Sequence, residues 1–341
     1  MMNAGIVANK QVCGQPQDTA TPPALKSVCR MRSLSEEWKD VQPVHIDEGP
    51  DPVVFIKFTE EFKDLMSLFR AVAASGERSP RVLSLTEEII DISPAHYTVW
   101  YHRQLVCQAL GRSWRDELKW CSLLADDNPK NYQIWQHRRW CLNCGISSGE
   151  FAAADAQCEL DFLSDFLTNP DHRDHKNYHA WSNRQWLLRS CHASFKLPFD
   201  IDFGFCLKMI KLDVFNNSAW NHWHFCLRGG PSGSFKELPT EAILFACEVL
   251  RARADNESPW SFIRGCFPEG VLFASFQPLI DTVSFVLIQE PRCRFALEMH
   301  AIIAAQSGDT AAAASRYLAL SEVDTTRKGY WSNVVQQLGS A

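Results

Sequence analysis

Apolar residues recur at three- and four-residue spacing along most of the chain. In residues 114–127 (WRDELKWCSLLADD), Leu118, Cys121, Leu124 and Ala125 fall on one stripe, the pattern of a helix that buries one face. Residues 153–167, 203–212 and 237–251 show the same spacing. Between them stand segments that begin with an aromatic-rich motif and also carry helical spacing. The chain therefore reads as consecutive helical hairpins joined by short loops.

The aromatic motif recurs. SPAHYTVWYHR (93–103) aligns with NPKNYQIWQHR (128–138), 35 residues later, and with KNYHAWSNR (176–184), 46 residues further on. FNNSAW (215–220) and DNESPW (255–260) follow at 39 and 40 residues. A degenerate copy, RKGYW (327–331), comes 71 residues after Trp260, about two periods, so one intervening copy has lost its signature. A period of 35 to 46 residues marks a repeat architecture in which each unit buries its neighbour's face. The expected fold is all-α, a right-handed α-α superhelix: a crescent of stacked, TPR-like hairpins. The longer third period predicts an insertion at 142–157, rich in Gly, Ser and Ala, as a surface loop.

Within each unit Tyr, Trp and Arg stand at i, i+3 and i+6, on one side of a helix. Asn131, Asn177, Asn217 and Asn256 are placed to cap its first turn, and Pro94 and Pro129 end the helix before it. One large aromatic per repeat at a fixed position is interface packing, so Trp100, Trp135, Trp181 and Trp220 are core residues. Arg103, Arg138 and Arg184 are expected to bridge adjacent units.

The ends of the chain differ from its middle. Residues 1–36 read as a disordered extension: Lys10, Lys26, Arg30 and Arg32 face a single acid, Asp18, among the first 35 residues, with three prolines and no periodicity. Residues 37–58 read as an extended Pro-rich arm, with order beginning near Trp38, and 59–341 as the helical-repeat solenoid. Three prolines and one glycine crowd 41–58.

Composition narrows the function classes. The 341 residues carry 34 basic and 40 acidic side chains, a net charge of −6, which argues against a polyanion such as nucleic acid as partner. Tryptophan is over-represented, 12 against 6 Tyr, and the repeat accounts for the excess. Thirteen cysteines without framework spacing point to free thiols and a cytoplasmic location. The longest apolar stretch, 270–288, is broken by Gln277, Pro278 and Asp281, so no membrane span is expected. Cys141-x-x-Cys144 lacks a βαβ setting or a matching second pair, with Cys191-His192 the nearest candidate, and is read as structural; no metal site is expected. No phosphate loop or nucleophile elbow appears, so a catalytic role would need machinery from elsewhere.

The chemistry gathers before the repeat helices. Lys130 and Lys176 occupy the same slot ahead of a helix N-terminus, inside an acidic chain, and could form an anion site. Tyr132, Gln133, Tyr178 and His179 add hydroxyl, amide and imidazole groups in the first turns, though a structural role suits His179 better. Solvated lysines are the plain alternative.

The repeat N-Y-x-x-W-x-x-R, with GPDPVVFIKF (49–58), FRAV (69–72) and TTRKGYW (325–331), closely resembles the protein prenyltransferase α-subunit family, from about Trp38 to the C-terminus. The branch it resembles is shared by farnesyltransferase and type I geranylgeranyltransferase; the Rab-directed α subunit has the repeat but not this arm. The resemblance implies a heterodimer with a β subunit that holds zinc and most of the isoprenoid pocket, with magnesium implied for the assembled enzyme. It further implies transfer of farnesyl or geranylgeranyl from its diphosphate to the Cys of a C-terminal Cys-a-a-X sequence. By carry-over, Lys130 contacts the donor diphosphate as the catalytic residue, Gln133 bonds the substrate carboxylate, Tyr97 borders the last-residue pocket, and Tyr132, Asn177, Tyr178 and His179 line the donor site. Three positions depart from the pattern: His96 replaces an Asn, Asn183 stands where a His precedes Arg184, and Trp223 fills an arginine slot. A peptide-binding helical-repeat adaptor without chemistry is the alternative from another class.

Overall fold

The structure, a computed structural model, describes residues 31–46, 49, 54, 56–170, 174–230 and 233–340. It is all-α, with no strand among the described residues. Fifteen α-helices follow one another among the described residues: α1 (Glu60–Ser75), α2 (Pro80–Ile92), α3 (Tyr97–Ala109), α4 (Trp114–Asp127), α5 (Tyr132–Ser148), α6 (Ala153–Thr168), α7 (Tyr178–Phe195), α8 (Phe203–Leu212), α9 (Asn217–Leu227), α10 (Thr240–Ala252), α11 (Glu257–Cys266), α12 (Gln277–Gln289), α13 (Arg294–Gln306), α14 (Thr310–Val323) and α15 (Lys328–Ser340). After α1 they form seven consecutive pairs in sequence. Two compact units divide the chain, 1–162 and 163–341, with the boundary inside α6.

In the first unit α2 packs on α3 and α4 on α5, while α3 also lies against α5. Val82, Leu85, Ile89, Val99, Trp100, Ile134 and Trp135 are buried there. The expected extension 1–36 lies outside the described residues up to 30, yet regular structure starts at Arg32, earlier than Trp38. A 3-10 turn, Arg32–Leu34, is tied down by Arg32, which pairs with Glu88 of α2. Of the arm, residues 47, 48, 50–53 and 55 lie outside the description. Val44 is pinned to α1 through Val44 N–H to Ser67 O (3.0 Å) and Arg70 Nη1 to Val44 O (2.9 Å).

The expected surface loop at 142–157 is mostly helix. α5 runs on to Ser148, and Gly149, at φ 74°, ends it in the left-handed region that glycine adopts without strain. Only 149–152 separate it from α6. Phe151 is buried against Trp114, whose indole N–H donates to Glu150 Oε2 (3.1 Å). A Cβ at Gly145 would come within 2.6 Å of the Trp114 ring, so glycine inside this helix is demanded by close packing. Gly, Ser and Ala here are small-residue packing, which composition alone cannot distinguish from a loop.

In the second unit α8 packs on α9, α10 on α11, α12 on α13, and α14 on both α13 and α15; α9 lies between α7 and α11. Its end is closed by Leu297, Ala301, Tyr317, Leu320 and Trp331.

Candidate functional site

The tryptophans bear on more than packing. In five successive repeats the indole N–H donates to the carbonyl six residues earlier: Trp100 to Pro94 (2.8 Å), Trp135 to Pro129 (2.9 Å), Trp181 to His175 (2.9 Å), Trp220 to Val214 (2.9 Å) and Trp260 to Ala254 (3.0 Å). Each bond closes the turn that enters the helix. In four of the five an asparagine four residues before the Trp then caps it: Asn131 Oδ1 accepts from Gln133 and Ile134, Asn177 from Ala180, Asn216 from Ser218 and Ala219, and Asn256 from Ser258. Asn216 performs the role expected of Asn217, a one-residue slip within an Asn-Asn pair. In the second unit the same cap reaches back one repeat. Asn216 Nδ2 donates to His175 O (2.9 Å) and Asn256 Nδ2 to Val214 O (2.8 Å). The copy that lost its signature is now visible: Cys293 takes the N-cap position of α13 without a side-chain capping bond, its thiol reaches Ala254 O (3.6 Å), and Leu297 stands in the tryptophan position. Trp331 instead donates to Asp324 Oδ2 (3.1 Å).

The motif arginines are buried and bridge helices, as expected. Arg103 makes a two-pronged pair with Glu117 (2.6 and 3.1 Å), Arg138 with Glu159 (2.7 and 2.6 Å), and Arg184 with Asp202. Each guanidinium also stacks on an aromatic ring, that of Trp120, Phe162 and Phe205 respectively. A histidine two residues after the Trp shares the acid: His137 Nε2 lies 2.8 Å from Glu117 and His222 Nε2 2.6 Å from Asp202. Burial alone would raise the Glu117 carboxyl, but His137 and Arg103 more than offset it and hold it well below the usual carboxylate range. Burial lowers His137, so it stays neutral more readily than a free imidazole. In the fourth repeat Trp223 replaces the arginine and stacks on Phe262 at 4.9 Å, an aromatic substitute for the ionic bridge.

Lys130 lies between two anchored residues, Pro129 by its carbonyl and Asn131 by its cap, with an exposed side chain just ahead of α5. Tyr132 beside it is 69% exposed and Gln133 half-buried. Asn131 already accepts from Gln133 and Ile134, so these two N–H groups of the first turn are occupied. Tyr97 and Tyr178 take the same helix position as Tyr132, at 71% and 67% exposure. The tyrosine is therefore exposed in each of these repeats, while Trp and Arg of the same motif are buried. Asn177 is buried by its capping bonds, and His179 is buried edge-on to Tyr178. Lys176, the other candidate anion ligand, pairs with Asp213 at 2.9 Å.

One cluster went unnoticed in the sequence. Cys206, His222 and Cys226 are buried together in the α8–α9 hairpin. Its signal is His-x3-Cys on one helix face, opposite a cysteine four residues after the acid. Cys141 and Cys144 form no such group among the described residues, and burial pushes both thiols up.

Comparison with known proteins agrees with this geometry. The protein prenyltransferase alpha subunit repeat matches at 79–110, 114–145, 156–191 and 200–229. The chain is 36% identical over 250 residues to the protein farnesyltransferase/geranylgeranyltransferase type-1 subunit alpha of Dictyostelium discoideum, covering 73% of this chain and 74% of that protein. It is 32% identical over 258 residues to the Arabidopsis thaliana protein of the same name, covering 75% and 74%. Among solved structures, Candida albicans protein geranylgeranyltransferase-I complexed with GGPP superimposes with a TM-score of 0.73 at 28% identity, over 88% of this chain and 98% of that one. The chain belongs to the alpha-subunit family of the protein prenyltransferases, in the branch shared by farnesyltransferase and type-1 geranylgeranyltransferase. Among the described residues no helix is long and apolar enough to cross a membrane.

Proposed function

We propose that this chain, a subunit of a protein prenyltransferase, contributes Lys130 to the transfer of a farnesyl or geranylgeranyl group onto the cysteine of Cys-a-a-X proteins, in a heterodimer with a β subunit. The observation that carries the assignment of Lys130 is its place: an exposed side chain whose backbone is anchored on both sides, by the Trp135–Pro129 bond and the Asn131 cap. Charge builds on the diphosphate oxygen as its bond to the allylic carbon breaks, so a cation held there favours the transition state over the bound donor. Tyr132 and Tyr178 offer hydroxyls beside such a group, Gln133 an amide for the substrate carboxylate, and Tyr97 a wall for its last residue. At the matching start of α7, Asn177 caps the helix and His179 lies edge-on to Tyr178.

Zinc and magnesium belong to the proposed holoenzyme, where zinc would hold the substrate cysteine as its thiolate; the Lys, Tyr and Gln side chains named above are not zinc donors, so that zinc is assigned to the partner. A cytoplasmic location is part of the same proposal, supported by the many cysteines and the lack of framework spacing among them. Lys130→Ala is the test: slow transfer with intact heterodimer supports the assignment, and unchanged turnover removes it.

A further inference from the structure

We propose that Cys206, His222 and Cys226 form a binding site for a soft divalent cation, zinc above all, inside the fourth repeat. The three ligand atoms lie within 4.8 Å of one another, and the residues are 0%, 0% and 3% exposed. Cys226 Sγ is 3.7 Å from His222 Nε2. Two donors at zinc distances, about 2.3 Å for sulfur and about 2.0–2.1 Å for nitrogen, stand about 3.6 Å apart around a tetrahedral ion. Cysteine thiolates with an imidazole select zinc over magnesium or calcium.

The fourth ligand has to move in, because Asp202 stands outside the group of atoms within 4.8 Å of one another. Asp202 Oδ2 now accepts from His222 Nε2 at 2.6 Å; when the ion takes that nitrogen, the ring proton moves to Nδ1 and the carboxylate oxygen turns to the metal. Charge then balances. Two thiols release two protons, and two thiolates plus Asp202 against the dication leave one negative charge, which Arg184, already paired with Asp202, cancels. A buried site of zero net charge avoids the cost of an uncompensated ion.

The second repeat is the internal control. Glu117, Cys121, His137 and Cys141 occupy the same register, yet Cys121 lies 3.3 Å from Ile134 O and His137 Nδ1 3.4 Å from Gln104, and these residues form no such cluster.

The test is Co2+ titration of the full-length chain followed by absorption spectroscopy. One equivalent should give thiolate-to-metal charge transfer, with zinc displacing it, and Cys121→Ser should keep the signal while Cys206→Ser and Cys226→Ser lose it. X-ray absorption of the zinc-loaded wild type needs no variant to fold, and should show two sulfur and two nitrogen or oxygen ligands. A folded wild-type chain without the charge-transfer band, or a zinc shell without sulfur, overturns the proposal.

Discussion

Asn216 and Trp181 donate to one carbonyl, that of His175, each at 2.9 Å. The first bond comes from the next repeat and the second closes the turn within its own, so a single acceptor ties two repeats together while Asn216 Oδ1 caps α9. Asn256 and Trp220 share Val214 in the same way.

Asn216→Ala removes the cap and the bond between repeats together. We expect a loss of about 2–3 kcal/mol in urea unfolding, against about 1 kcal/mol for Asp309→Ala, whose side chain caps α14 through Ala312 N–H. Equal losses at the two sites would show that the shared carbonyl adds nothing.

The Arg138–Glu159 pair is buried on both sides. Glu159→Gln leaves the guanidinium without its counter-charge and should cost about 3–5 kcal/mol, while the double replacement Arg138→Met with Glu159→Leu should cost less than either single change. A double-mutant cycle measured by denaturant unfolding gives the coupling; additive losses contradict the bridging role.

Acid sensitivity follows from Glu117 and His137. Both are lowered from their ordinary values of 4.5 and 6.5, so the unfolded chain binds more protons than the folded one. Their contribution is present above those ordinary values and is lost as pH falls, first below about 6.5 for the histidine and then below about 4.5 for the carboxylate. Thermal melts from pH 7 to pH 4 should show falling Tm in the wild type and a shallower fall in His137→Gln, which has no imidazole to take up a proton on unfolding. Parallel curves would exclude this pair as the origin.

At the exposed edge, single-turnover kinetics of the heterodimer should separate roles. Lys130→Ala is expected to slow transfer roughly tenfold or more without altering assembly. Gln133→Ala should raise KM for the Cys-a-a-X peptide with little change in kcat, since it binds ground and transition states alike. The reverse pattern would reassign both residues.

The repeat, the hairpins and the buried Trp and Arg were legible because one residue type recurs at one register, and α4 and α8 match their hydrophobic stripes end to end. The tightness at Gly145 was not, since small residues signal a loop and a close helix contact alike. Nor was the exposure of the tyrosines: i, i+3, i+6 sweeps a third of a helix turn, so Tyr132 can face out while Arg138 is buried. The lost copy was hidden because a cysteine stands in its N-cap position and a leucine in place of its tryptophan. Cys206 and Cys226 are distant in sequence, and only the α8–α9 packing brings them together.

The central claim is tested most directly by co-expressing this chain with a type I prenyltransferase β subunit and assaying transfer of labelled farnesyl or geranylgeranyl from its diphosphate to a Cys-a-a-X peptide. The account expects a stable heterodimer that turns over and a separated chain that does not. Transfer by the chain alone, or a heterodimer with no transfer to any such peptide, would contradict it.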